Sequence, residues 1–274
     1  MDRTPIASLH VEIPSQPDQY SDSKCSGVHL SEDIFLTAAH CFRDRQFKTR
    51  DSSQDLHFYT VFESPKIVSR YPPRTVKQIF VHPTCIKNNE DCVDMALVLL
   101  EHSDEVQLEA PDFPKFQELQ DYVNSGSAFY TYGLGLQRTQ NSDIADDGNG
   151  WQRGILFSDP TDLSHQSLIL FNESSPSQVL WGDSGGPDLM EINGKIYLAA
   201  INQSIRLDTL MDKFIFNGYY RMGKVQKLGS RAQLVFPYIC DIIDALPTST
   251  KGVSRIKEKC SDPQYLGPGI GTRH

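Results

Sequence analysis

The sequence has no excess of basic residues and no long apolar run. Its 35 acidic residues outnumber its 26 basic ones and give a formal net charge of −9, whereas a nucleic-acid binder needs a clustered basic surface. The longest apolar runs, at 95–100 and 196–201, are much shorter than the roughly 20 residues of a membrane-spanning helix. We therefore expect neither nucleic acid nor a membrane as a partner.

The first residues do not show the pattern of a secretory leader, and the cysteines do not show a metal-binding motif. Asp2, Arg3 and Glu12 interrupt the start, so we expect that a leader was either removed or never present. The six cysteines, at 25, 41, 85, 92, 240 and 260, include no Cys-x-x-Cys, and we expect no metal and no cofactor. Their even number favours disulfides in an oxidising compartment, which predicts a secreted or periplasmic protein. Reduced buried thiols are the alternative.

Short segments with strand character lie between turn residues along the chain, at 6–13, 34–38, 56–62, 96–100, 128–132, 168–171, 196–201 and 232–236. This pattern predicts an all-β sandwich or barrel, and 274 residues permit one large domain or two smaller ones. The only helix we predict has Ile239, Ile242, Ile243 and Leu246 on one face, before Pro247. Residues 248–274 are expected to form an irregular tail or a solvated linker.

The strongest local motif is Gly-Asp-Ser-Gly-Gly-Pro at residues 182–187. Its glycines permit a tight turn that exposes the Ser184 hydroxyl and directs the N–H groups of Gly182 and Ser184 to one point. Such a point is an oxyanion hole, in which each donor stabilises the transition state by about 3–4 kcal/mol. A glycine-rich turn without chemistry is the alternative.

A serine nucleophile needs a base, and a histidine base needs a carboxylate. His40, one of 8 histidines, follows the apolar segment 34–38 and precedes Cys41; alone it would more often be structural. Asp94 directly precedes the apolar run 95–100, and a carboxylate at the mouth of a buried strand needs a partner. By itself Asp94 could equally be a turn residue.

Together these segments resemble the trypsin and chymotrypsin family of serine proteases. The family signatures Thr-Ala-Ala-His-Cys, Asp-Ile-Ala-Leu and Gly-Asp-Ser-Gly-Gly-Pro correspond, in that order, to residues 37–41, to Asp-Met-Ala-Leu at 94–97 and to residues 182–187. The first and the third are intact. The resemblance implies a catalytic triad of His40, Asp94 and Ser184, with the N–H groups of Gly182 and Ser184 as the oxyanion hole.

The likeness extends over about residues 5–246. It implies an all-β fold of two antiparallel six-stranded β-barrels, with the active site between them and a C-terminal helix. The peptidase domain would span 1–247, with the boundary between its halves near 110–125, and 248–274 would be the tail. The resemblance also implies a disulfide between Cys25 and Cys41. Two further pairings, Cys85 with Cys92 and Cys240 with Cys260, rest only on proximity in sequence, and the second would join the tail to the helix.

The segment before Ser184 departs from the family. The pocket-floor aspartate, six residues before the serine, is replaced by Gln178, so cleavage after Lys or Arg is not expected. Arg231 stands where the family often has a glycine; directed inward it would favour an acidic residue before the cut, and an exposed arginine is the alternative. The residues expected to bind substrate are Gln178, Val179, Trp181, Asn202 (near the carboxylate of Asp94), Gln203, Ser204 and Arg231.

Activation also departs from the family. Active members bind a newly cut Ile-Val-Gly-Gly amine at the aspartate that corresponds to Asp183, and this sequence contains no such segment. An unpaired buried carboxylate is costly, so we expect another cation or hydrogen-bond donors to stabilise a buried Asp183.

The sequence thus predicts a serine endopeptidase that hydrolyses peptide bonds through an acyl-enzyme on Ser184. Its partner is a protein or peptide substrate, and a protein inhibitor is a further candidate. The alternative is a catalytically silent or proenzyme-state homologue that acts as a protein-binding module. No triad residue is substituted, which favours the enzyme.

Overall fold

The structure is a computed structural model, and its described residues are mostly in two antiparallel sheets. This confirms the predicted all-β class with two antiparallel sheets. In the part of the chain that is described, no helix is both long and apolar enough to cross a membrane. The described residues are 6–13, 16–20, 25–42, 58–62, 74–86, 92–102, 108–133, 137–138, 144–145, 151–158, 167–172, 179, 182–207 and 228–266.

The first sheet is built from the N-terminal strands. They are β1 (Ile6–Ile13), β2 (Gln16–Tyr20), β3 (Cys25–His29), β4 (Ile34–Thr37), β5 (Phe58–Phe62), β6 (Arg74–Val81) and β7 (Ala96–Leu100). Their order is β2-β1-β3-β4-β7-β6-β5, and β1 also pairs with β5 at the other edge. Within the described residues the sheet therefore has seven strands rather than the predicted six, because β2 adds to β1 as a short hairpin.

Strand β7 explains the apolar run that follows Asp94. All five of its residues are buried. Ala96, Val98 and Leu100 pack in one core cluster, whereas Leu97 and Leu99 pack in another. Since neighbouring side chains of a strand point to opposite faces, both faces of β7 are covered and every position is apolar.

The second sheet follows a connecting segment. The remaining strands are β8 (Ala128–Gly133), β9 (Gln137–Arg138), β10 (Ile144–Ala145), β11 (Trp151–Ser158), β12 (Ser167–Asn172), β13 (Pro187–Ile192), β14 (Lys195–Leu207) and β15 (Leu228–Leu234). Strands β9 and β10 form a separate two-stranded ribbon, and the other six pair in the closed order β11-β12-β15-β14-β13-β8. The first residues of β13 continue directly from the Ser184 motif.

Among the described residues, two short α-helices precede the second sheet. Helix α1 (Pro83–Ile86) lies before β7, and helix α2 (Phe116–Asn124) lies between β7 and β8. Sequence analysis did not predict α2. Its first turn is held by the backbone N–H of Lys115, which donates to Glu118 Oε2 at 2.8 Å, and it buries Leu119 and Val123.

The predicted C-terminal helix is present but short. Helix α3 (Cys240–Ile243) continues as turns to Leu246, through bonds such as Leu246 N–H to Ile243 O at 3.2 Å. The four apolar side chains that predicted it are all buried: Ile239, Ile242, Ile243 and Leu246.

The following segment is not an irregular tail, at least as far as residue 266. Helix α4 (Val253–Cys260) packs against α3, with Val253 and Ile256 buried. The prediction was wrong because polar residues outnumber apolar ones in this segment, while a single short stripe at positions 253, 256 and 260 suffices to attach the helix. Arg255 Nη2 also donates to the Leu30 carbonyl at 3.0 Å, so the segment contacts the connection between β3 and β4.

All six cysteines pair as disulfides, in the combinations considered from the sequence. The bonds are Cys25–Cys41, Cys85–Cys92 and Cys240–Cys260.

Candidate active site

His40 and Asp94 are brought together by adjacent strands. Strand β4 ends at Thr37, and the 3₁₀ turn Ala39–Phe42 that follows carries His40. In the register of β4 and β7, Thr37 pairs with Ala96, so Asp94 stands just before the paired end of β7. The Cys25–Cys41 disulfide joins the histidine turn to β3. The pairing of β4 with β7 therefore brings His40 and Asp94 together at one end of the two apolar strands.

Two hydrogen bonds join His40 to the carboxylate of Asp94. His40 Nδ1–H donates to Asp94 Oδ2 at 2.6 Å, and the backbone N–H of His40 donates to Asp94 Oδ1 at 2.8 Å. The Asp94 side chain is 7% exposed, whereas that of His40 is 35% exposed. Because Nδ1 faces the carboxylate, the outer edge of the ring carries Nε2.

Asp94 is also held from the second sheet. Its backbone N–H donates to Gln233 Oε1 at 3.3 Å, and Gln233 is a buried residue of β15. Sequence analysis did not identify Gln233, because nothing in the local pattern of β15 shows that it faces a residue so distant in the chain.

The segment 182–186 forms a tight turn beside these strands. Gly182 and Gly185 have φ of +91° and +80°, in the left-handed region that glycine adopts without strain. The N–H of Gly186 donates to the Asp183 carbonyl at 2.9 Å and closes the turn. Gly185 N–H donates to Asn202 O at 2.7 Å, and Asn202 N–H donates to Gly186 O at 2.8 Å, which attaches the turn to β14.

The same turn lies against the strand that leads to His40. A Cβ on Gly185 would overlap Thr37 Oγ1, the Ser26 carbonyl oxygen and the Ala38 nitrogen. Glycine is therefore required at this position for close approach of the two chains. Ser184, the preceding residue, is partly exposed.

Ser26 of β3 connects the two sheets at this point. Its N–H donates to the Ser184 carbonyl at 2.8 Å, and its Oγ–H donates to the Gly182 carbonyl at 2.7 Å. Its own carbonyl accepts a bond from Thr37 Oγ1 at 2.7 Å. Ser26 could not be identified from the sequence, since its position after Cys25 carries no recognisable signal.

Asp183 is fully buried, as expected. Its carboxylate lies against Gly133, where an added Cβ would overlap the carboxylate atoms. Gly133 is the last residue of β8, and residues 134–136 lie outside the described part of the chain.

Another buried carboxylate lies four residues after Ser184. Asp188 on β13 is fully buried, and burial raises its pKa to about 7, although the bond from Thr131 Oγ1 opposes the shift. Thr131 donates to Asp188 Oδ1, and Asp188 Oδ2 has no hydrogen-bond partner among the described residues.

The predicted substrate-binding residues are only partly described. Val179 is buried, Gln203 is partly buried and Ser204 is exposed, while Gln178 and Trp181 lie outside the described residues.

Asn202 is fully buried, and neither atom of its amide group has a hydrogen-bond partner within the described residues. Its predicted position near the carboxylate of Asp94 stays a prediction. A polar contact to Asp94 from the second sheet comes from Gln233, whose Oε1 accepts from the backbone N–H of Asp94.

Arg231 is partly buried on β15, between buried Ser230 and Ala232. Strand alternation places it on the face opposite to those two residues and on the same face as Gln233.

Comparison with known families identifies the fold family. The model of the Trypsin family matches residues 9–209, which include His40, Asp94 and Ser184. The chain belongs to the trypsin family. Comparison with curated proteins gave no match. The family match ends before β15, so Gln233 and the C-terminal helices lie beyond the segment that the trypsin family model covers.

Proposed function

We propose that this trypsin-family protein is an active serine endopeptidase with His40, Asp94 and Ser184 as its catalytic triad. The observation that carries the proposal is the 2.6 Å bond between His40 Nδ1 and Asp94 Oδ2, next to a Ser184 turn that packs against Thr37 at the end of β4. The chemistry requires a base whose tautomer is fixed by a buried carboxylate, and the 7% exposure of the Asp94 side chain meets that requirement.

The proposed reaction has two stages. His40 Nε2 takes the hydroxyl proton of Ser184 while Oγ attacks the peptide carbonyl carbon, and the N–H groups of Gly182 and Ser184 bind the resulting oxyanion. His40 then returns the proton to the leaving amine, the C–N bond breaks and an acyl-enzyme remains. Water, deprotonated by His40, hydrolyses the ester, and Ser184 regains its proton. Asp94 stabilises the imidazolium in both stages.

The test is labelling by a fluorophosphonate, followed by kinetics on a substrate selected from a peptide library. Folded wild type should be labelled and Ser184→Ala should not. A folded wild type that stays unlabelled would refute the proposal and favour a catalytically silent or proenzyme-state binding module.

Asp94→Asn tests the carboxylate separately. The neutral amide cannot stabilise the imidazolium and permits the wrong tautomer, so kcat should fall by about 10⁴-fold. Asp121→Asn, on the exposed face of α2, is the control for loss of one negative charge. A decrease in kcat of less than tenfold for Asp94→Asn would contradict the assigned role.

We further propose that the two sheets correspond to the two six-stranded barrels of the family, with β2 as an addition to the first. Its support is the pairing of β1 with β5 and the closed order of the second sheet. Cross-sheet bonds from Ser26 and Gln233 support an active site between the two sheets.

For specificity, we propose a preference other than Lys or Arg before the cut, because Gln178 replaces the usual acid. Val179, Trp181, Asn202, Gln203, Ser204 and Arg231 remain the proposed substrate-binding residues. Peptide-library profiling tests this directly, and a dominant cleavage after Lys or Arg would overturn it.

The three disulfides support action in an oxidising compartment. We propose a secreted or periplasmic protease that acts on protein or peptide substrates, with a protein inhibitor as a further candidate partner.

A further inference from the structure

The turn around Ser184 has three successive backbone carbonyls, and each has a defined hydrogen-bond partner. The Asp183 carbonyl accepts from Gly186 N–H within the turn. The carbonyls of Gly182 and Ser184, on either side, both accept from Ser26, one from its hydroxyl and one from its N–H. One residue of the first sheet thus fixes two of the three carbonyls.

Of the two bonds that Ser26 donates, the bond from its hydroxyl has the larger effect on the conformation of the turn, because its acceptor is the carbonyl of a glycine. Gly182 has φ of +91° and no Cβ, so rotation of its carbonyl meets little steric resistance. A partner is needed to select one orientation. Ser26 is itself immobilised, since it is fully buried, follows the disulfide-bonded Cys25 and accepts a bond from Thr37.

We propose that the Ser26 hydroxyl is a positioning residue that holds the Gly182 carbonyl and thereby keeps the N–H groups of Gly182 and Ser184 directed at the oxyanion. This inference rests on the proposed function. Ser26 touches neither the substrate nor the reacting atoms in this scheme; it acts through the backbone of the oxyanion turn, and it supplies that support from the opposite sheet.

Ser26→Ala tests the inference because it removes the hydroxyl bond and retains the N–H bond to Ser184. Loss of one neutral hydrogen bond corresponds to about a fivefold to tenfold effect. We expect kcat/KM, and the rate of labelling by a fluorophosphonate whose P–O oxygen occupies the oxyanion position, to fall together by about that factor. KM should stay within twofold, because substrate binding does not use the bond.

Ser31→Ala is the matched control. Ser31 Oγ also donates to a distant backbone carbonyl, that of Lys251 at 2.6 Å, and Ser31 lies in the β3–β4 connection, past the end of β3 that is opposite to Ser26. It should leave kcat and the labelling rate unchanged even if it lowers the melting temperature. If Ser26→Ala does not fold, Ser26→Gly removes the same hydroxyl with a smaller side chain and is judged by the same measurements.

The outcomes separate the two proposals. A labelled wild type and a folded Ser26→Ala variant with kcat and labelling rate within twofold of wild type would overturn the role of Ser26 and leave the protease intact. A folded wild type that is not labelled would refute the proposed function, and the positioning role with it. A fall in kcat at unchanged KM, absent from Ser31→Ala, would support the inference.

Discussion

Replacement of Asp188 by asparagine should stabilise the protein above neutral pH. Asp188 is fully buried, and burial raises the pKa of its carboxyl from an ordinary value of 3.8 to about 7. The folded state therefore binds this proton more tightly than the unfolded chain does. The contribution of the protonated carboxyl to stability is fully present below about pH 4 and is lost as pH rises through about 7.

The magnitude follows from the pKa difference. Each unit of difference corresponds to about 1.4 kcal/mol, so ionisation of Asp188 costs the folded state about 4 kcal/mol when it is complete. Between pH 5 and pH 8 the loss is about 2.5 kcal/mol. Asparagine does not titrate, and its amide oxygen can still accept the bond from Thr131.

The assay is urea unfolding, followed by circular dichroism at pH 5 and pH 8. Wild type and Asp188→Asn are both prepared with Ser184→Ala to prevent self-cleavage. The free energy of unfolding of the asparagine variant, relative to wild type, should increase by about 2.5 kcal/mol from pH 5 to pH 8. Asp121→Asn controls for the loss of one negative charge. If the free energies of unfolding of the two proteins differ by the same amount at pH 5 and at pH 8, the argument that burial raises the pKa of Asp188 is refuted.

Two further predictions concern the C-terminal disulfide and the glycine beside Asp183. Replacing Cys240 and Cys260 by serine opens a loop with a sequence separation of 20 residues and should lower the free energy of unfolding by about 3 kcal/mol; unchanged urea unfolding would contradict this. Gly133→Ala places a Cβ on the Asp183 carboxylate and should reduce fluorophosphonate labelling at least tenfold. Gly126→Ala is the control: a Cβ at Gly126 would meet no atom within 4 Å, and the only strain comes from the positive φ of this residue. This variant should keep the wild-type labelling rate. Equal labelling rates for Gly133→Ala and Gly126→Ala would exclude the steric explanation.

Sequence patterns predicted the elements whose own residues carry a recognisable apolar pattern. The run at 95–100 predicted a strand because both faces of β7 are covered, and residues 239–246 predicted a helix because one face is buried. Helix α4 was not predicted, since its attachment depends on a few apolar contacts and a disulfide rather than on a long apolar stripe.

Motifs singled out the histidine, the aspartate and the serine as candidates, but not the residues that hold them. Ser26 is separated from Gly182 by 156 positions, and Gln233 from Asp94 by 139. Such contacts are decided by how the two sheets meet, which no local pattern records. The face of Arg231 was equally undetermined, because a one-residue shift in a strand reverses the side to which each side chain points.

The bonds of Ser26 and Gln233 across the sheets have a consequence for the newly made chain. Each bond needs both sheets to be formed and docked, so the complete site cannot exist while only the N-terminal half has emerged from the ribosome. Under the proposed function, hydrolytic activity then appears at the last step of folding rather than gradually. A partly synthesised or misassembled molecule would be unable to digest its neighbours.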